Sequence, residues 1–162
     1  MRTLLMAGVI TTLSACAMQP VLDAYSTNGL SIDTTTQATI WSDNSNMLFA
    51  MITKVDGKGM PSRKGAGYPY SVAVTPGTHK LILLVADLSD FNPFLGDKSA
   101  RLEKQINVEA GHAYKVSFQE SSDGKSVGAS IIDLGPRIAC HYEVTASEHQ
   151  GYVPVALRCS QQ

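Results

Sequence analysis

Cysteines and histidines are the residues of this chain best suited to chemistry, and there are three of the first and four of the second. His79, His112, His141 and His149 contain no H-x-x-x-H or H-E-x-x-H pair, the spacing that turns two imidazoles toward one zinc ion. His79 and His112 each follow a glycine turn and open a strand, where an imidazole can pin the turn by hydrogen bonding. Cys140 lies beside His141, but adjacent strand residues point to opposite faces, which keeps the base from the thiol. Asp87, Asp90 and Asp97 surround "DLSDFNPFLGD" without the D-x-D-x-D-G spacing of a calcium loop, and nothing opposes them as a glycosidase pair. The glycine-rich "GKGMPSRKGAG" has Lys64 before its glycine, so it is no phosphate-cradling loop. Lys54, Lys58, Arg63 and Lys64 read as a solvated hairpin, with lipid phosphates as the other reading. No G-x-S-x-G is present. The expectation is a chain with no catalytic residues, no metal and no cofactor.

These residues sit in 162 positions, of which 44% are hydrophobic and 17% charged, with a formal net charge of −1. The composition is that of a globular domain with appendages. It has none of the basic excess of a nucleic-acid binder. No stretch is long and apolar enough for a membrane-spanning helix.

The N-terminus explains the first cysteine. Met1-Arg2 is a minimal positive segment and Thr3 to Leu13 an apolar one, too short to span a bilayer and suited to an export signal. Leu13-Ser14-Ala15-Cys16 resembles the lipobox of bacterial lipoproteins: a hydrophobic residue, two small ones, then the cysteine whose thiol takes the diacylglyceryl group. Ordinary secretory cleavage before Met18 is the competing reading. The resemblance implies residues 1–15 as signal peptide and lipidation at Cys16. Three acyl chains exceed the two signals that stable anchoring needs. Ala17 rather than Asp after the cysteine favours the outer membrane, facing the periplasm. Losing Arg2 with the signal leaves a net charge of −2.

Residues 16–36 read as the lipidated end and a flexible tether, reaching roughly 25 Å, unless Val21, Leu22 and Tyr25 dock on the domain. From 37 to 162 strand signals take over. They fall at 37–41, 46–55, 68–74 (Tyr70, Val72 and Val74 on one face), 79–87 (buried on both faces), 101–108, 113–120 and 126–134. Turns are expected at "DGKG" (56–59), at Thr75-Pro76-Gly77-Thr78 and near Gly111 and Gly124. Residues 97–105 admit either a helical turn or an edge strand. Strands near 138–145 and 152–158 would form a hairpin. An exported protein with two remaining cysteines pairs them by default, so Cys140 and Cys159 would clip that hairpin. Short strands separated by turns predict an all-β fold, a small antiparallel β-sandwich with a C-terminal disulfide-clipped hairpin.

The order "VDGKG", "YPYSVAVTPGTHKLIL" and "INVEAGHAYKV" resembles the PEGA-like, transthyretin-like small sandwiches of bacterial envelope lipoproteins, over roughly residues 50 to 120. The resemblance implies a fold and an envelope address, and no catalytic residues. "DFNPFLG" remains, with Phe91, Phe94 and Leu95 in a loop. They either cap one end of the sandwich or form a contact tip for a partner or lipid. The expected function is a lipid-anchored envelope protein with a non-catalytic binding or structural role. Its partners would be the membrane through the N-terminal lipid and an envelope protein or glycan, with no nucleic acid. The alternatives are a periplasmic inhibitor or ligand-binding lipoprotein, or a subunit of an envelope assembly.

Overall fold

A computed structural model describes residues 25–28, 32–43, 48–61, 68–87, 98–123, 125–144 and 155–162. Among them are eleven strands and no helix: β1 (Tyr25–Ser26), β2 (Ala38–Ser42), β3 (Leu48–Val55), β4 (Lys58–Gly59), β5 (Ser71–Val74), β6 (Gly77–Asp87), β7 (Lys98–Val108), β8 (His112–Glu120), β9 (Val127–Pro136), β10 (Ile138–Val144) and β11 (Val155–Gln161). They form a five-stranded sheet in the order β1-β5-β2-β8-β9, a four-stranded sheet in the order β4-β3-β6-β7, and the separate hairpin β10-β11.

Period-two alternation builds the two sheets. Ile40 of β2, Val72 and Val74 of β5, and Tyr114, Val116 and Phe118 of β8 face one core with Ile52 of β3, Leu81, Leu83 and Val85 of β6, and Ile106 and Val108 of β7. Pairing is antiparallel in most places, but β1 with β5 and β2 with β8 run parallel. The larger sheet is therefore mixed, because the chain leaves it for the other sheet between β2 and β8.

Several local expectations meet the structure here. Asp56 and Gly57 both have positive φ, 50° and 78°, the two-residue turn whose twist matches flanking strands. Residues 98–108 form the edge strand of the smaller sheet, paired with β6 throughout from Gly77↔Val108 to Asp87↔Lys98. Leu102, Ile106 and Val108 face in while Arg101, Glu103 and Gln105 face out, so period two prevails over the short helical window.

Two expectations are corrected, and a third point is left open by the sequence. β6 is not buried on both faces: Leu81 and Leu83 are fully buried, while Ile82 and Leu84 are half-buried and Lys80 is exposed. No third layer covers that side among the described residues. Tyr70 does not share a face with Val72 and Val74. It lies at the corner where the chain crosses between sheets, with the Ile52 amide donating to the Pro69 carbonyl and the Ser42 amide to the Tyr70 carbonyl. Its ring packs instead in a second cluster with Tyr142. Of the two readings of residues 16–36, the described residues Tyr25 to Asn28 follow the docking one, while Val21 and Leu22 lie outside the described residues. Tyr25 packs on the core, Ser26 is buried, Thr27 donates its amide to the Ala73 carbonyl, and Lys58 Nζ reaches the Thr27 carbonyl at 3.1 Å.

Candidate binding cleft

The C-terminal hairpin lies across the outer face of the larger sheet. Cys140 and Cys159 sit directly opposite each other on β10 and β11 and are bonded, which also removes Cys140 as a nucleophile. One residue does most of the docking. Tyr142, 8% exposed, meets Trp41 and Tyr70 edge-on, with ring centroids 5.4 and 5.8 Å away. Its hydroxyl proton is shared between the Ser42 carbonyl at 2.8 Å and the Tyr70 carbonyl at 3.1 Å. Burial raises the Tyr142 hydroxyl well above its ordinary pKa, so it stays a donor.

Between hairpin and sheet is an open cleft of about 570 Å³, within the ~300–1,000 Å³ range of small-ligand sites. Its floor is the outward face of β2 and β8, where Thr39, Trp41 and Ala113 project away from the core side of Ala38 and Ile40. Ile138 to Cys140 of the hairpin form one wall. The rim is made by three turns: residues 32–35, residues 110–112 and the corner 136–137.

Each rim turn is held by its own polar groups. Asp33 accepts from the Thr35 amide and hydroxyl and from the Thr36 hydroxyl, which bring its carboxyl down to about 2. Gly111, at φ +75°, lies against the Thr34 and Thr35 carbonyls, where a side chain would be strained. Its amide donates to the Gln37 carbonyl, and the Arg137 amide donates to the Gly111 carbonyl. Arg137 itself has φ +57°, a region costly for a residue with a Cβ. Its backbone is gripped on both sides, since the Gln162 amide donates to its carbonyl.

His112 stands beside this rim. Its Nδ1 lies 3.0 Å from Asp133 and its Nε2 3.6 Å from Glu109. Burial pushes the Asp133 carboxyl up, but the Gly135 amide and His112 together bring it below its ordinary value. His79 pins a further turn at the same end of the sandwich: Nδ1 is 2.7 Å from Asp56 and Nε2 is 2.7 Å from the Thr75 carbonyl. Both partners only accept, so both contacts are hydrogen bonds only in the imidazolium form. The Lys80 amide, opposed by burial and helped by His79, holds the Asp56 carboxyl below the usual range. Thus both turn histidines are engaged with carboxylates. His141 is exposed, 3.5 Å from Glu143, and among the described residues no three His, Cys, Asp or Glu converge as metal ligands.

The sequence-derived candidates separate cleanly. Cys140 and Cys159 are brought together. Cys16, Phe91, Phe94 and Leu95, along with His149, Asp90, Asp97, Arg63 and Lys64, lie outside the described residues. The cleft residues Thr39, Trp41 and Arg137, and the hairpin anchor Tyr142, were not among those candidates. A usable signal existed for two of them: the chain's single tryptophan falls at an outward position of "ATIWS", two residues from a threonine. Compared with known proteins, this chain matches no protein family, no curated protein and no solved structure.

Proposed function

We propose that this protein is a lipid-anchored binding module of the bacterial cell envelope, held to the outer membrane through Cys16 and facing the periplasm. Its role is binding rather than catalysis. The observation that carries the reading is the cleft walled by a hairpin whose cysteines are bonded, because a structural disulfide suits an oxidising, extracytoplasmic compartment. The lipobox-like Leu13-Ser14-Ala15-Cys16 supplies the anchor, and residues after it supply a short reach from the bilayer. The small envelope sandwiches that residues 50 to 120 resemble have the same address. The test is mass spectrometry and membrane fractionation of the mature protein beside Cys16→Ser. An acylated N-terminus at Cys16, lost with the substitution, is expected. A mature chain beginning at Met18 without lipid overturns the anchor.

A further inference from the structure

We infer that the cleft beneath the C-terminal hairpin binds a short glycan bearing a carboxylate, with Trp41 as its platform and Arg137 as its anchor. This assignment deepens, and rests on, the reading of the protein as an envelope binding module.

The floor combines a flat aromatic ring with very small neighbours. Trp41 is half-buried, and Gly111, Ala113 and Ala139 line the same space, leaving a shallow surface beside the ring. A sugar ring has an apolar C–H face that lies on the electron-rich face of an aromatic, while its hydroxyls need partners around the edge. Thr39 can supply one. It lines the cleft, and its hydroxyl is not one of the buried unpartnered ones, which among the described residues are those of Ser42 and Ser71. A hydroxyl open to the cleft can exchange its water for a ligand hydroxyl at a modest net gain.

Charge selects among glycans. Two carboxylates near the rim are already met by protein donors: Asp33 by Thr35 and Thr36, and Asp133 by Gly135 and His112. Glu109 stands 3.6 Å from His112. The guanidinium of Arg137, by contrast, has no acceptor among the described residues, although its backbone is fixed by bonds to Gly111 and Gln162 in a strained conformation. A planar fork of donors carried on a fixed backbone at a cleft rim fits a carboxylate bidentately. The rim backbone is fixed before binding, so the ordering cost on the protein side falls on side chains such as that of Arg137.

Trp41 is the only tryptophan, so its fluorescence reports on the cleft directly. The full-length processed protein in detergent is titrated with a trisaccharide of hexuronic acids, with its methyl ester, and with a tripeptide carrying a free C-terminal carboxylate. The expected result is a saturable change with the uronate and affinity at least about tenfold weaker for the ester, the loss of a charge-assisted pair. Arg137→Gly, which tolerates positive φ, should weaken the uronate by about the same factor at unchanged melting temperature. Thr39→Val should weaken it by about threefold to tenfold, the worth of one neutral hydrogen bond. No saturable change with the uronate, equal affinity for the ester, or tighter binding of the peptide would each overturn the assignment. Equal affinity in both variants would do the same. An unacylated chain that still binds the uronate overturns the anchor alone, and an acylated chain blind to it overturns this assignment alone.

Discussion

In the sandwich, Ile52, Leu81 and Leu83 are fully buried between two sheets, whereas in the β10-β11 hairpin Tyr142 alone among the described residues is buried. The sandwich has enough apolar side chains on two facing surfaces to exclude water by itself. The hairpin has only two strands, too few for independent stability in water. It is seated by one aromatic anchor and two carbonyls, while the disulfide ties its own two strands together. The difference also divides the labour: the sandwich supplies the cleft's floor, and the hairpin supplies a wall that could not stand without it.

The largest effect is expected in the sandwich core. Leu83→Ala removes a fully buried side chain and should cost about 4 kcal/mol, measured by denaturant unfolding. A cost under about 1 kcal/mol would mean that apolar burial does not hold this region. Next comes the bridge. Replacing both Cys140 and Cys159 by serine opens a loop with a sequence separation of 19 and should cost about 3 kcal/mol. Hydrogen exchange should then accelerate in β10 and β11 while β6 stays protected. Equal acceleration in β6 would show that the two regions unfold as one.

Tyr142→Phe sharpens the comparison further. It keeps the ring contacts with Trp41 and Tyr70 and deletes the shared donor, so about 1 kcal/mol should be lost. A much larger loss would mean that the hydroxyl rather than the ring seats the hairpin. The smallest expected effect tests the rim. Asp33 has a carboxyl lowered from 3.8 to about 2 in the folded state, so its contribution is present above the unfolded value and is lost as pH falls toward about 2. Asp33→Asn should therefore be slightly less stable than the native chain at neutral pH. Acid titration of both by thermal melting should bring the two curves together by about pH 2. Curves that stay equally apart at every pH would place the effect elsewhere than in the ionised carboxylate.

Much of the fold was legible because it depends on local rules. Alternation in "AYKVSFQE" and "SVAV", positive φ at Asp56-Gly57, and paired cysteines near the end of an exported-looking chain each act over a few residues. The failures were non-local. The run "KLILLV" looks apolar throughout, yet half of it faces away from the core because no layer covers that side of the smaller sheet among the described residues. Tyr70 obeys alternation with Val72 on paper, but the chain turns a corner there and its ring goes to a residue 72 positions away.

Sequence alone determined the strand periodicity, the turn positions and the pairing of Cys140 with Cys159, since side-chain period, backbone φ and the even cysteine count are properties of short segments or of composition. Only the tertiary structure decided that Tyr142 seats the hairpin, that Thr39 and Trp41 face a cleft, and that Arg137 stands at its rim. Those facts require strands from distant parts of the chain to meet, and a residue's outward face has no meaning until the packing has decided what lies outside it.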